Sequence, residues 1–173
     1  MNKKQENNAF VRECITVALL QLLEEKPISA ISVTEIVSRA GVARVSFYRN
    51  FTSKENVIEE NLCRLIKEWG AEFERTGDIE KFSDTLITHF YRHRDFYLLL
   101  YKRNLSNLIY ENLRNACEVG KSQINLERYA KSMFAGMIFG WLDEWMRQEM
   151  PESPDELALL SGKMESNAIP IEQ

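Results

Sequence analysis

Residues 32–51, SVTEIVSRAGVARVSFYRNF, decide the fold of this 173-residue chain. Ser32 and Glu35 have the spacing of a capping box, which predicts the start of a helix. Gly41 predicts a sharp turn at the end of that helix, because glycine adopts the left-handed conformation at little cost. A second helix begins at once, near Ala43. Two short helices joined by a tight turn are typical of a helix-turn-helix, whose second helix enters the major groove of DNA.

The rest of the chain has the apolar periodicity of helices and no strand alternation. Glycine and proline are scarce, with 7 and 4 residues, which also favours helices. A further capping box is expected at Thr52–Glu55. We expect helices at about 8–25, 54–73, 79–93, 95–103, 105–120, 126–149 and 154–166. The prediction is an all-α fold with a three-helix DNA-binding domain at 1–54 and a helical domain for ligand binding and dimerisation at 55–173.

The second helix of the motif carries more hydrogen-bonding side chains than a core helix needs. Residues 26–54 contain five basic side chains and one acidic side chain, net +4, whereas residues 55–173 contain 14 basic and 21 acidic ones, net −7. A local basic patch on an acidic body can attract phosphate. Lys54 supports this interpretation, because a cation in the first turn of a helix is unfavourable unless an anion binds there.

Two segments, Ser32–Val42 and Ser46–Glu55, closely resemble the DNA-binding domain of the TetR (tetracycline-repressor-like) family. The resemblance covers about residues 8–60, with the Gly-Val turn, the Phe-Tyr pair and the Ser-Lys-Glu sequence in register. It implies a transcriptional regulator, typically a repressor, that binds a palindromic DNA operator as a homodimer. The segment from Trp141 to Glu152 resembles the C-terminal domain found in many Firmicutes members of this family.

The resemblance also implies DNA-binding roles for Thr34, Arg44, Val45, Ser46, Tyr48, Arg49, Asn50 and Lys54. Arg44, Val45 and Ser46 would face the major groove, while Tyr48 and Lys54 would bind phosphates. Arg49 and Asn50 would lie near the DNA backbone, and Thr34 would approach the backbone or a base edge. The chemistry agrees, since arginine can bond guanine O6 and N7 together and valine can contact a thymine methyl group.

An aromatic set in the second domain has two interpretations. It is either plain core packing or, as the resemblance implies, the lining of a pocket for a small-molecule effector that releases the protein from DNA. The candidate ligand-binding residues are Trp69, Phe90, Tyr97, Tyr101 and Phe134. Such a lining would suit a largely apolar molecule with a few polar groups. The alternative is a DNA-binding regulator without a small-molecule ligand, controlled by a protein partner.

The last two long helices, 126–149 and 154–166, are the predicted dimer interface. The first has more apolar side chains than one side of a core requires: Met133, Phe134, Met137, Ile138, Trp141, Leu142 and Trp145. Ala135, Gly136 and Gly140 would let a partner helix approach closely, and the second helix would add a stripe of Leu157, Leu159 and Leu160. The alternative is that these side chains belong to the core of one subunit.

No catalytic or metal site is expected, and no cofactor. His89 and His93 have the i, i+4 spacing of metal ligands but no obvious third ligand. Asp143 and Glu144 have no nucleophile or base motif beside them. The chain is therefore not predicted to be an enzyme.

The expected location is the cytoplasm. The first eight residues have no apolar segment of a signal peptide, and the longest apolar run, 133–142, is too short for a bilayer. The three cysteines show no disulfide framework, which fits a reducing compartment.

Overall fold

The computed structural model describes residues 3–121 and 123–166, with side-chain surroundings defined at 8–121 and 123–160. These ranges contain helices and turns without a β-strand, so the all-α prediction is confirmed. The α-helices are α1 (Lys3–Glu25), α2 (Val33–Ala40), α3 (Arg44–Asn50), α4 (Lys54–Thr76), α5 (Phe82–Arg92), α6 (Arg94–Lys102), α7 (Ser106–Ala116), α8 (Asn125–Arg147) and α9 (Pro154–Ser166). Short 3-10 turns lie at Ile28–Ala30 and Ile79–Lys81.

The helix-turn-helix lies within a head formed by α1, α2 and α3, while α5 to α9 form a body. Helix α4 joins the two, since it packs on α1 in the head and on α5 and α7 in the body. Helix α6 also contacts α1. A single cluster of buried apolar side chains runs through both parts and includes Leu19, Phe47, Leu62, Tyr97 and Leu142. The domain boundary at 54/55 stays a prediction.

Two helices differ from their predicted lengths at the ends. Helix α1 begins at Lys3 and not near residue 8, because the polar residues before the apolar stripe are good helix formers. Helix α4 was expected to end at about residue 73, but it continues to Thr76. It ends at Gly77, whose φ of 62° lies in the left-handed region that glycine tolerates.

The ends of the body helices also differ from the prediction. Helices α6, α7 and α8 stop at Lys102, Ala116 and Arg147, which are one, four and two residues before the predicted ends. Asn104 and Glu118 follow the first two of these helices with φ angles of 56° and 55°. Left-handed residues other than glycine are not visible in apolar periodicity, so the sequence did not predict these ends.

The predicted capping box at Thr52–Glu55 is wrong by one residue. Ser53 is the N-cap of α4, and its hydroxyl accepts a hydrogen bond from the Asn56 amide at 3.0 Å. The Asn56 side-chain oxygen in turn accepts a bond from the Thr52 amide at 3.2 Å. The shift occurs because Asn56, and not Glu55, occupies the third helical position.

Within the described residues, no helix is both long enough and apolar enough to cross a membrane.

Candidate nucleic-acid interface

The turn between α2 and α3 has the geometry that the sequence predicted. The Ser32 hydroxyl accepts from the Glu35 amide at 3.2 Å, and the Glu35 carboxylate accepts from the Ser32 amide at 2.9 Å. Gly41 has φ 66°, and its amide donates to the Ser38 carbonyl at 3.3 Å. Helix α3 therefore begins at a fixed angle to α2, although its N-cap, Ala43, provides no side-chain bond.

Helix α3 is anchored along one side. Phe47 is fully buried, and Phe51, directly after the helix, is 3% exposed. At the C-terminal end, the Arg12 guanidinium of α1 donates to the Asn50 carbonyl at 3.0 Å and lies 4.5 Å from the ring centre of Phe51. Arg12 also pairs with Glu60 of α4 at 3.2 Å. The helix is thus held at both its buried face and its end, while the opposite face is open.

The open face brings together three of the predicted DNA-binding residues. The Arg44 guanidinium lies 3.4 Å from the Thr34 hydroxyl and 3.3 Å from the Tyr48 hydroxyl. Val45 and Tyr48 are 53% and 55% exposed, and Arg49 is also exposed. This surface combines guanidinium groups, hydroxyl groups and one aliphatic side chain, which are the groups that contact base edges and phosphates.

Three predicted residues are less open. Ser46 and Asn50 are half-buried, and the Asn50 amide group donates to the Ser46 carbonyl at 2.8 Å. The Lys54 ammonium donates to the carbonyls of Ile28 and Ile31 at 2.7 and 2.6 Å. These bonds hold the start of α4 against the 3-10 turn. They also explain how a cation is tolerated in the first turn of that helix.

The charge count of the head overstates its free positive charge. Lys26 pairs with Glu35, and Arg39 pairs with Glu25 at 2.5 Å. The bond from Lys26, helped by those from Ser32, lowers the pKa of Glu35 to about 2. The bond from Arg39 likewise lowers the pKa of Glu25. Of the five cations in residues 26–54, Arg44 and Arg49 are the two that are exposed and that also have no carboxylate partner among the described side chains.

Arg12 is a residue that sequence reasoning missed. Its contact with the end of α3 joins residues 38 positions apart, and the polar side of an amphipathic helix gives no sign of such a contact. The only available signal was its place beside the apolar face of α1, where a charged side chain can reach a neighbouring helix.

The structure does not bring the five candidate ligand-binding residues together. Trp69 and Phe134 line an apolar groove of about 450 Å³ in the body. Phe90 and Tyr97 are fully buried and stack on each other, with ring centres 4.3 Å apart. Tyr101 lies elsewhere, with its hydroxyl bonded to a carboxylate of α8. For Phe90 and Tyr97 the core-packing interpretation therefore describes the observed surroundings.

The groove is formed by α4, α5, α7 and α8. Its other lining residues are Ile66, Phe82, Leu86, Leu113, Ala116, Cys117, Ala130, Lys131 and Ile138. The indole nitrogen of Trp69 donates to the Thr85 hydroxyl at 3.2 Å, and the Trp69 ring meets Phe82 edge-on at 5.3 Å. Lys131 is the one charged residue in this lining, and it pairs with Glu127 at 2.7 Å.

The histidines and the carboxylates of the body have structural partners. His89 is 2% exposed, with its Nε2 atom 3.1 Å from the Tyr97 hydroxyl. Burial, followed by the charges of His93 and Arg92, lowers the pKa of His89 to about 4. Asp143 accepts bonds from Tyr101 and from Arg147. Among the described residues, no three His, Cys, Asp or Glu side chains converge on a possible metal position.

Comparisons with known proteins agree with this geometry. A family model described as "Bacterial regulatory proteins, tetR family" matches residues 15–60, which contain the helix-turn-helix. A second model, "Transcriptional regulator C-terminal region", matches residues 77–165, just over half of the chain.

Two individual proteins are similar over most of their length. The uncharacterized HTH-type transcriptional regulator YvkB of Bacillus subtilis (strain 168) is 24% identical in an alignment 145 residues long, which covers 72% of this chain and 77% of that protein. The crystal structure of Lin0861 from Listeria innocua has the same fold, with a TM-score of 0.77 and 15% identity over 98% of this chain and 96% of that one. With an HTH-type regulator among its relatives and both parts of the chain matched, the protein is a DNA-binding transcriptional regulator and not an enzyme, and it belongs to the TetR family of bacterial regulatory proteins.

Proposed function

We infer that this regulator is a repressor that binds a palindromic operator as a homodimer and is released by a small apolar effector. The head, residues 1–54, would read DNA in the cytoplasm, and residues 55–173 would bind the effector and the second subunit. One observation carries the proposal: α3 is fixed by the buried Phe47 and turns a face of guanidinium and hydroxyl groups to solvent.

The open face of α3 suggests how the contacts with DNA are divided. Arg44, at the start of the helix, would bond guanine O6 and N7, and Val45 would contact a thymine methyl group. Thr34, whose hydroxyl lies beside Arg44, would orient that guanidinium or contact the backbone. Tyr48 and Arg49 would bind phosphates. Ser46 and Asn50, being half-buried, would contribute less, and Lys54 would reach phosphate with its remaining N–H group.

Helix α8 supports dimerisation because one of its faces is apolar and open. Leu126, Tyr129, Met133 and Met137 are between 64% and 78% exposed and lie three or four residues apart, on one side of the helix. The opposite side, with Ile138, Leu142 and Trp145, is buried in the body. Ala135 is also buried there, so it does not face a partner helix as predicted. The predicted apolar set is therefore divided between core and surface.

A second subunit is the occupant that we propose for this face. Gly136 and Gly140 follow the exposed stripe, and a Cβ atom at either glycine would meet no atom within 4 Å. Helix α9 adds Leu159 and Leu160, which are 68% and 44% exposed, whereas Leu157 of the predicted stripe is buried. Two such helices from each subunit would form the isologous interface that a palindromic operator requires.

The groove lined by Trp69 and Phe134 is the proposed effector site. Its volume of about 450 Å³ lies within the usual range for ligand pockets, and its lining is mostly apolar. Lys131 and Cys117 would provide the few polar contacts. Because α4 lines the groove and also packs on α1, a ligand that changes the tilt of α4 would move the two recognition helices apart or together. Typical couplings of ~1–3 kcal/mol would weaken operator binding by about 5- to 150-fold.

The direct experiment is to sequence the DNA that co-purifies with the protein and to titrate the enriched sequence with purified protein. We expect a palindrome whose half-sites are one helical turn apart and a stoichiometry of two chains per site. A stable monomer at micromolar concentration that binds one half-site would contradict the homodimer.

A substitution that fills the groove tests the effector. Ala116→Phe should fill part of the groove that Trp69 also lines, so operator binding should persist while release by the cell's inducing condition is lost. Ala71→Phe, on an exposed part of α4 outside the groove, is the control. Normal release by the Ala116→Phe variant would contradict the groove assignment and favour control by a protein partner.

A further inference from the structure

The C-terminal end of α1 lacks the donors that its last carbonyl groups need. The Leu22 carbonyl accepts from the Lys26 amide at 3.0 Å, as in a regular helix. The next carbonyl, of Leu23, would bond the amide of residue 27, but Pro27 has no N–H group. Pro27 also has extended backbone, with ψ 153°, which ends the helix before the carbonyl of Glu24 finds a partner. The carbonyls of Leu23 and Glu24 are therefore left for donors from elsewhere.

The negative charge at this helix end increases the benefit of a cationic hydrogen-bond donor to its carbonyl groups. The last turn of α1 contains Glu24 and Glu25 and no basic residue. Carboxylates are unfavourable at a helix C-terminus, where the helix dipole attracts cations. Arg39 of α2 pairs with the Glu25 carboxylate, but it does not bond the carbonyl groups.

Arg103 of the body provides both missing donors. Its Nε atom donates to the Leu23 carbonyl and its Nη2 atom donates to the Glu24 carbonyl at 2.6 Å. Arg103 directly follows α6 and is held there by its own amide, which bonds the Leu99 carbonyl at 3.1 Å. The planar guanidinium thus bridges two adjacent carbonyls and fixes the distance and the angle between α1 and the end of α6.

The other end of this connection is the recognition helix. Arg12, about 16 Å along α1 from Leu23 at 1.5 Å per residue, donates to the Asn50 carbonyl at the end of α3. Helix α1 is therefore held by the body at one end and holds α3 near the other. In both contacts an arginine bonds the free carbonyls of a helix C-terminus.

We propose that Arg103 is a positioning residue for DNA binding, which fixes the head on the body through α1 and so sets the separation of the two recognition helices. The proposal rests on the homodimer of the proposed function. Without Arg103, the head would be held on the body mainly by the apolar packing of α4 and α6 on α1. The contact between Arg103 and α1 adds two directional hydrogen bonds to this packing, and these bonds restrict movement of the head before DNA is bound. Because the head is already ordered in the free protein, ordering it does not weaken operator binding.

The experiment measures how strictly the dimer selects the spacing of its half-sites. The probes are the operator enriched from wild-type protein and two versions with one or two base pairs inserted between the half-sites. Arg103→Met keeps the aliphatic part of the side chain and removes the donors. Arg114→Met is the control, because Arg114 bonds the Ser132 hydroxyl at 3.1 Å between two body helices, away from the head. Thermal unfolding of each variant is recorded in parallel.

We expect Arg103→Met to bind the natural operator about 2- to 30-fold more weakly than wild type, in the range of measured coupling effects. The loss of affinity that the inserted base pairs cause should be smaller than in wild type by a similar factor. Arg114→Met should keep the wild-type spacing profile, which is the affinity as a function of the number of inserted base pairs. A purely structural role would lower the unfolding temperature and leave spacing selectivity unchanged. If Arg103→Met does not fold, Arg103→Gln, which can bond one carbonyl, should show an intermediate profile.

A wild-type spacing profile in folded Arg103→Met or Arg103→Gln would overturn the proposal, as would an equal change in Arg114→Met. Failure of the proposed function is a different result, since the wild-type protein itself would then show no spacing preference.

Discussion

The outward faces of α3 in the head and α8 in the body are built from opposite kinds of side chain. On α3 the exposed residues include Arg44, Tyr48 and Arg49, above the fully buried Phe47. On α8 they include Met133 and Met137, which are 75% and 64% exposed. Both helices have a buried side, so the difference lies only in what they present to a partner.

This contrast indicates two kinds of partner. A face of guanidinium and hydroxyl groups is well hydrated alone and gains most from an anionic partner with many acceptors, such as DNA. An apolar face gains from any contact that removes it from water, at roughly 25 cal/mol per Å². The head is therefore suited to DNA and α8 to an apolar partner, which we propose is a second subunit.

The largest effect is expected from blocking the apolar face of α8. Gly140→Trp should leave the fold of one subunit intact, because the glycine is exposed and a Cβ there meets no atom within 4 Å. It should prevent close approach of a second α8. Sedimentation should show a monomer, and operator affinity should fall about 100-fold or more once two linked half-sites no longer act together.

Gly120→Trp is the matched control for that experiment, since Gly120 is also exposed and lies in the turn after α7. A Gly140→Trp variant that stays dimeric would contradict the proposed role of the α8 face in dimerisation.

As the pH falls, the buried histidine of the body should lose its contribution to stability at a higher pH than the exposed ion pairs of the head. His89 has its pKa lowered to about 4 by burial, so the unfolded chain takes up a proton first as the pH falls. Its contribution to the free energy of unfolding is complete above pH ~6.5 and is lost between about pH 6.5 and 4, by about 3 kcal/mol. The Glu35 contribution in the head, with a pKa of about 2, is complete above about pH 4.5 and is lost below it.

Denaturant unfolding of wild type and His89→Gln at several pH values between 7 and 4 tests this order. The Gln variant keeps a polar partner for Tyr97. Its free energy of unfolding should change much less than that of wild type between pH 6.5 and 4. If the free energy of unfolding changed equally with pH in both proteins over that range, His89 would not be the group responsible.

A smaller effect is expected from the capping box of the head. Ser32→Ala removes the acceptor of the Glu35 amide, which should cost about 0.5–2 kcal/mol in the free energy of unfolding. Ser38→Ala, at an exposed position inside α2, is the control and should change stability little. Equal stability of Ser32→Ala and wild type in denaturant unfolding would mean that the cap contributes nothing to the fold.

Local sequence rules were sufficient to predict the helix-turn-helix, because its features depend on near neighbours. The Ser32–Glu35 box and the left-handed Gly41 are contacts within four residues. The same rules misplaced the cap of α4 by one residue, since Ser53 and Thr52 are chemically similar there.

Contacts between distant residues could not be predicted from the sequence. Arg12, Lys54 and Arg103 each bond a carbonyl at least 23 positions away, and only the packing of the helices determines which carbonyl they meet. For the same reason the aromatic residues of the body could not be assigned. Phe90 and Trp69 have the same helical character in sequence, but one is core and the other lines the groove.

The central claim is that the open face of α3 reads base edges in DNA. Its most direct test is a titration of the enriched operator with wild type and Arg44→Ala, on the natural sequence and on sequences changed at each position. Arg75→Ala, an exposed arginine at the far end of α4, is the control. The account predicts that Arg44→Ala loses about 1–3 kcal/mol of binding free energy and its discrimination at one base pair per half-site, while Arg75→Ala behaves as wild type. Unchanged affinity and unchanged base preference in the folded Arg44→Ala dimer would contradict it.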